Sequence, residues 1–130
     1  GKAGAGQHAK MANQIMIAGT LSGVCEAFAY AKAKGLDLEV LLQSVATGAA
    51  GSAQLNAFGE KIIQHNYAPG FYMKHFIKDM KIAQEEAVQS HLHLQILQQA
   101  LKNYEDLAKK DAHNEELGTQ ALITHYTGTI

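Results

Sequence analysis

The sequence predicts an all-α protein of about six helices arranged around a long N-terminal helix. Apolar residues recur three or four positions apart along most of the 130 residues, which is the spacing of one helix face. No segment of useful length alternates apolar and polar residues as a strand does. Because 47% of the residues are hydrophobic, the chain can bury one core, and we expect a single domain over residues 1–130.

The first helix is predicted from about Gly6 to Lys34, and Gly35 then ends it at the usual C-cap position. Apolar residues on more than one side of this helix indicate that neighbouring helices enclose it. Its main stripe consists of Ile15, Ala18, Leu21, Val24 or Cys25, and Phe28. Small residues such as Gly19 and Gly23 would let another helix approach closely.

Five shorter helices follow. Asp37 can cap a second helix to about Val45, and Ser52 can cap a third helix to about His65. The loop NYAPGF holds the only proline and precedes the fourth helix. The remaining ranges are Phe71 or Tyr72 to Ser90, Leu94 to Lys110, and a short last helix around Leu117 to Tyr126, with DAHNEE separating the last two.

Composition and charge exclude several classes of function. The formal net charge is -1, and no basic stripe is present, so we expect no nucleic-acid partner. The apolar run Met11 to Ala33 contains Asn13, Gln14, Glu26 and Lys32, which indicates a buried helix and not a membrane span. The single cysteine, Cys25, is predicted to be a small buried side chain, and a reducing, cytoplasmic location is the simplest interpretation.

One group of polar residues near the N-terminus has the chemistry of a site. Lys10, Asn13 and Gln14 are related as i, i+3 and i+4, so they share a helix face beside the glycine-rich start GKAGAG. A lysine near the positive helix end, if also shielded from water, exchanges protons more readily near neutral pH. On spacing alone, a solvated lysine with two amides near the helix start is the simpler interpretation.

A second stretch, PGFYMKHFIKDMKIA, places Lys74, Lys78 and Lys81 on one helix stripe, with Asp79 beside Lys78 and Phe71 at the helix start. A solvated charged face is the default explanation for such lysines. The seven histidines do not predict a metal site, because His91 and His93 are two positions apart and no third ligand is evident.

In this order, four stretches resemble the β-hydroxyacid dehydrogenase family, which includes 3-hydroxyisobutyrate dehydrogenase and tartronate semialdehyde reductase. GAGQHAKMANQI is similar to the family's glycine-rich Lys-x-x-Asn segment, and EAFAYAKAKGLD to its Glu-Ala…Gly-Leu-Asp stretch. GAAGSAQL is similar to its Gly-x-x-x-Ser loop, and PGFYMKHFIKDMKIA to its Pro-Gly-Phe…Lys-Asp…Ala segment. Many members have two asparagines after the lysine, whereas this chain has Asn13 and then Gln14, as in the tartronate semialdehyde reductase branch.

The resemblance covers the helical C-terminal half of such enzymes, a domain like the C-terminal domain of 6-phosphogluconate dehydrogenase. GKAGAG is not a dinucleotide-binding fingerprint, because no third glycine follows at the required spacing and no βαβ unit follows. The chain also starts without a methionine, inside the glycine-rich turn. We therefore expect a C-terminal fragment whose dinucleotide-binding domain lies in a preceding part of the protein.

The resemblance also implies residue roles. Lys10 would be the catalytic proton donor and acceptor, and Gly6, Asn13 and Gln14 would bind the substrate, a small hydroxy acid or its semialdehyde or oxo acid. Phe71, Lys78 and Asp79 would line the NAD or NADP side of the cleft, and no metal is required. The family implies a homodimer or tetramer, and no membrane partner.

The alternative is a non-catalytic helical module for oligomerisation or binding. Such a module would have no reason to gather Lys10, Asn13 and Lys78 around one cleft, so their relative placement distinguishes the two interpretations.

Overall fold

The computed structural model describes residues 4–128, and these form six α-helices. In chain order they are α1 (Ala5–Ala33), α2 (Leu38–Val45), α3 (Ala53–Ile63), α4 (Met73–Gln89), α5 (Gln95–Lys110) and α6 (Ile123–Thr127). Two 3-10 segments, Ala112–Glu116 and Thr119–Leu122, lie between α5 and α6. Within the described part of the chain, β-pairing is limited to one isolated bridge between Tyr72 and Gly118. The predicted all-α class is therefore confirmed.

Helix α1 is the central element, and α3, α4, α5 and α6 pack against it. Its buried residues are Met11, Gln14, Ala18, Leu21, Val24, Cys25, Phe28 and Ala31, so most of the predicted stripe is confirmed. Within residues 4–128 the neighbouring helices cover only part of α1. The side chains of Met16 and Tyr30 are 64% and 65% exposed, and Gly23 and Ala27, on the same face, are exposed as well.

The helix ends follow local sequence signals. Glycines with positive φ flank α1, Gly4 at +90° and Gly35 at +75°, where a side chain would be strained. The Asp37 carboxylate accepts from the backbone N–H groups of Glu39 and Val40 at 2.9 and 3.2 Å. The Ser52 hydroxyl accepts from Leu55 N–H at 3.0 Å. Both predicted caps are thus confirmed.

The prediction of one continuous helix around Leu117 to Tyr126 is wrong. Leu117 and Gly118 are extended, a 3-10 turn covers Thr119–Leu122, and α6 has only five residues. The backbone groups here bond to the loop before α4: Gly118 N–H donates to Tyr67 O at 2.8 Å, and Thr119 N–H donates to Phe71 O at 3.1 Å. These tertiary bonds replace the helical bonds that the local pattern predicted.

The core lies where α1, α4 and α5 meet. Apolar residues on one stripe of α4 are buried, with Phe76 and Met80 fully enclosed and Ala83 and Ala87 following them. Phe76 meets the ring of Tyr104 edge to face, with 5.3 Å between the ring centroids. The Tyr104 hydroxyl donates to Thr119 O at 2.8 Å, so α5 fixes the segment before α6 and, through it, the loop that leads into α4.

Candidate active site

Four polar side chains from α1 and α4 form one connected group, the Lys10–Asp79 cluster, which consists of Lys10, Asn13, Gln14 and Asp79. Asn13 Nδ2 donates to Gln14 Oε1 at 3.0 Å, and Gln14 Nε2 donates to Asp79 Oδ2 at 3.1 Å. Lys10 Nζ lies 3.9 Å from Asp79 Oδ1. The cluster joins residues 65 positions apart in the sequence, and the packing of α1 on α4 brings them together.

The cluster has a buried half and an open half. Gln14 and Asp79 are 7% and 9% exposed, whereas Asn13 is exposed and the Lys10 side chain is 63% exposed. Gln14 therefore points into the contact between α1 and α4 and does not share the outward face of Lys10. The described residues also do not provide the shielding of Lys10 that the sequence argument required.

The glycines at the start of α1 differ in what they require. Gly4 is the N-cap residue with φ +90°, and Gly6 lies in the first turn of the helix, one turn before Lys10. A Cβ added to Gly6 would meet nothing within 4 Å. The described chain thus leaves open space over Gly6, on the exposed side of the helix start.

Lys78 and its neighbouring lysines line a separate groove on α4. The groove has a volume of about 340 Å³ and is lined by Lys74, Ile77, Lys78, Lys81, Ile82 and Glu115. Lys74 pairs with Glu116 at 2.9 Å, which raises the pKa of the lysine, and Lys81 pairs with Glu105 at 3.4 Å. Among residues 4–128, Lys78 forms no ion pair of this kind.

Asp79, although adjacent to Lys78 in sequence, faces α1 and not this groove. The resemblance placed Asp79 with Lys78 on the cofactor side, whereas its contacts are with Lys10 and Gln14. Two consecutive helical residues point about 100° apart, which explains why a carboxylate and an amine from one motif serve different surfaces.

Phe71 lies in the loop before α4 and is 36% exposed. Its ring packs near Phe76 and His75, with centroid distances of 6.0 and 6.3 Å. It is about two helical turns from Asp79 along α4. The structure therefore does not place Phe71 in contact with the Lys10–Asp79 cluster.

Sequence reasoning missed Gln120, which positions the loop that carries Phe71. Gln120 is fully buried, and its Nε2 donates to Asn66 O at 3.1 Å and to Ala68 O at 3.0 Å. The Gln120 amide occupies the space beside Gly118, where a Cβ added to the glycine would lie 2.3 Å from Gln120 Oε1. A glutamine within the short apolar run QALI was the only sequence signal available for it.

Cys25 is the small buried side chain that the sequence predicted. It is fully enclosed, and burial, aided by the nearby charge of Glu26, raises the pKa of its thiol to about 12. A thiol in this state is a poor nucleophile at neutral pH.

Neither a membrane span nor a metal centre is found between residues 4 and 128. No helix in that range has the length and apolar character needed to cross a bilayer. No group of three or more His, Cys, Asp and Glu side chains in the same range could hold a metal ion.

Comparison with known proteins identifies close relatives. Residues 4–126 match a family model described as NAD-binding of NADP-dependent 3-hydroxyisobutyrate dehydrogenase. The chain is 48% identical, over 94% of its length, to an uncharacterized oxidoreductase, YkwC, of Bacillus subtilis, and covers 42% of that protein. It is 44% identical, over 95% of its length, to a probable mitochondrial 3-hydroxyisobutyrate dehydrogenase-like protein of Arabidopsis thaliana, and covers 36% of it.

A solved structure shows the same fold. The crystal structure of a 3-hydroxyisobutyrate dehydrogenase from Salmonella typhimurium matches 93% of this chain with a TM-score of 0.87 at 22% sequence identity, and 42% of that protein is covered. The chain thus spans about two fifths of the length of the proteins that it matches.

Proposed function

The chain belongs to the 3-hydroxyisobutyrate dehydrogenase family, and we propose that it is the substrate-side helical domain of an NAD(P)-dependent dehydrogenase. The substrate is a small hydroxy acid of the 3-hydroxyisobutyrate or tartronate semialdehyde type, which is interconverted with its semialdehyde or oxo acid. A dinucleotide-binding domain precedes the helical domain in the full-length enzyme, which we propose to be a cytoplasmic dimer or tetramer.

The observation that carries this proposal is the Lys10–Asp79 cluster. An exposed amine and an exposed amide stand side by side on α1 and are linked to a buried carboxylate from α4. Buried polar groups are costly unless they are paired, and a domain needed only for oligomerisation gains nothing from this arrangement. The exposed apolar face of α1 favours self-association, which is compatible with catalysis.

Lys10 is the proton donor and acceptor in this proposal. Its exposed Nζ can reach a substrate oxygen on the solvent side of the N-terminal half of α1, while Asp79, on the buried side, restrains the lysine. In the direction of reduction Lys10 gives a proton to the new hydroxyl, and in the direction of oxidation it removes one. Asn13, one helical turn away, binds a second polar group of the substrate, and the open space over Gly6 admits the substrate.

The residues around Lys78 fit an anionic dinucleotide. The groove on α4 carries three lysines, and Lys78 has no carboxylate partner among the described residues, so its charge is available to phosphate oxygens. When bound, NAD(P) supplies or accepts the hydride. In this proposal Lys78 holds the cofactor in the α4 groove, which within residues 4–128 is separate from the Lys10–Asp79 cluster, and Phe71, in the loop before α4, provides an apolar surface for it.

Replacing Lys10 in the full-length enzyme tests the proposal. Lys10→Ala removes a proton-transfer group from the surface, so we expect kcat to fall about a hundredfold or more, with an unchanged melting temperature. Lys32→Ala is the matched control, because Lys32 is exposed on the same helix, roughly 33 Å away along its axis. Activity of Lys10→Ala within a few-fold of the parent enzyme would refute the assignment.

Replacing Lys78 tests the cofactor assignment separately. Lys78→Ala should raise the KM for NAD(P) and leave folding intact, whereas Lys81→Ala, which removes a lysine paired with Glu105, should change it less. An unchanged cofactor KM and kcat in Lys78→Ala would return Lys78 to the role of a solvated surface lysine.

A further inference from the structure

We propose that a small cavity between the C-terminal ends of α1 and α3, the Tyr67 cavity, binds a short branched aliphatic carboxylate. The cavity has a volume of about 120 Å³ and is lined mainly by Phe28, Lys32, Ile62, His65, Tyr67 and Ile123. Phe28 lies roughly 27 Å from Lys10 along the axis of α1. The cavity is therefore remote from the Lys10–Asp79 cluster and takes no part in the proposed reaction, on which this inference does not depend.

The inner part of the cavity is apolar. Phe28, Ile62 and Ile123 line it and are buried, and the half-buried side chains of Leu38 and Ile63 complete its wall. A dry cavity of about 150 Å³ with walls of this kind accepts benzene, so the smaller Tyr67 cavity has room for a compact molecule of about six non-hydrogen atoms. These walls favour an aliphatic body.

One buried hydroxyl in the wall lacks a good partner. Tyr67 is 7% exposed, and among residues 4–128 its hydroxyl contacts only His65 Nδ1, at 3.4 Å, which is long for a hydrogen bond of a hydroxyl. Burial raises the pKa of Tyr67, so the hydroxyl keeps its proton at neutral pH. A buried donor without a strong acceptor is costly, and an oxygen atom of a ligand in the cavity would supply the acceptor.

The exposed side of the cavity carries basic groups. Lys32, in the last turn of α1, and His65, just after α3, line it and are both exposed. Within residues 4–128 no Asp or Glu side chain lines the cavity, and Lys32 forms no ion pair there. A cation and an imidazole beside an apolar interior favour a carboxylate as the polar end of the ligand.

The backbone at His65 supports a role for its side chain. His65 has φ +56°, at a helix end where glycine is the usual residue. A histidine is less favourable than glycine in this conformation, but it places an imidazole beside the Tyr67 hydroxyl. The two rings meet edge to face, with 6.5 Å between their centroids.

Saturation-transfer NMR of the full-length protein with isobutyrate, a branched carboxylate of this size, tests the proposal. We expect saturable binding with a Kd on the order of 1 mM, as suits so small a ligand. Isobutyramide has nearly the same shape and no charge, so it should bind at least about tenfold more weakly. The same titration of Lys10→Ala should give an unchanged Kd, because the catalytic lysine lies outside the cavity.

Two variants locate the ligand. Leu38→Phe places a larger side chain in the cavity and should raise the Kd at least about tenfold. Its matched control is Leu36→Phe, since Leu36 is 52% exposed and does not line the cavity; its Kd should stay within about twofold of the parent value. Tyr67→Phe removes only the hydroxyl and should raise the Kd about fivefold to tenfold. Melting temperatures show whether each variant is folded.

The outcomes either support or overturn the inference. Weaker binding in Leu38→Phe and Tyr67→Phe, with unchanged binding in Lys10→Ala, supports it. Binding that is lost in Lys10→Ala and kept in Leu38→Phe would place isobutyrate in the catalytic site and overturn the inference, while the proposed function would stand. No saturable binding at tens of millimolar, or equal affinity for isobutyramide, would also overturn it.

Discussion

Gly118→Ala should destabilise the protein because it removes the space that Gln120 occupies. The new Cβ would lie 2.3 Å from Gln120 Oε1 and 2.9 Å from its Cδ, and Gln120 is fully buried, so the glutamine has to leave its place. Asn66 O and Ala68 O then lose their donor. With about 1 kcal/mol for each lost bond and more where a carbonyl stays unpaired, the free energy of unfolding should fall by roughly 2–4 kcal/mol.

Urea denaturation of the parent and variant proteins measures this change, and two further variants identify its cause. Gly118 has φ of -70°, which any residue adopts, so backbone strain does not contribute. In a Gln120→Ala background, Gly118→Ala should therefore cost less than about 0.5 kcal/mol, since no side chain remains to collide with. The matched control is Gly70→Ala in the loop before α4, where a Cβ meets nothing within 4 Å. An equal cost of Gly118→Ala in both backgrounds would show that the collision with Gln120 is not the cause of the loss.

Three further predictions concern other parts of the molecule. His91→Gly should raise the free energy of unfolding, measured by urea denaturation, by roughly 0.5 kcal/mol. His91 follows α4 with φ +61°, a backbone conformation that glycine adopts at lower cost. Unchanged or lower stability would contradict this prediction. Cys25, whose pKa is raised from 9.0 to about 12, should contribute stability that is present below about pH 9 and is lost as the pH rises toward 12. Cys25→Ala should then flatten the fall in urea midpoint between pH 9 and 11, and equal slopes would argue against this. The exposed face of α1 that carries Met16 and Tyr30 should make the protein a dimer, and Gly23→Leu should weaken the association. Sedimentation equilibrium over a dilution series measures the oligomeric state, and the mass of a monomer at every concentration would exclude the dimer.

The helix boundaries could be predicted because the signals that set them are local. Asp37 and Ser52 cap α2 and α3 with their own side chains, and Gly35 takes the left-handed conformation that ends α1. The conformation of the segment from Leu117 onward is set by tertiary hydrogen bonds and not by local signals. Its backbone bonds to Tyr67 and Phe71, and no periodicity in the sequence encodes partners that are some fifty positions away.

The candidate site was predictable in its members and less so in its geometry. Helical spacing placed Lys10 and Asn13 together, and the family resemblance added Asp79. Spacing could not show that Gln14 turns inward, because the packing of α4 on α1 decides which polar residue is buried. Nor could the sequence separate Asp79 from its neighbour Lys78, since their different surfaces depend on which helices surround α4.

Chemical rescue of Lys10→Ala in the full-length enzyme shows whether Lys10 itself transfers the proton. If Lys10 transfers the proton, a small primary amine added to the solution should restore part of the lost kcat, because the space left by a side chain that is 63% exposed is open to solvent. Rescue should rise with amine concentration, depend on the pKa of the amine, and be missing in the parent enzyme, which keeps its own lysine. An inactive Lys10→Ala variant that no amine of this size restores, despite an unchanged melting temperature and substrate affinity, would contradict a role of Lys10 in proton transfer.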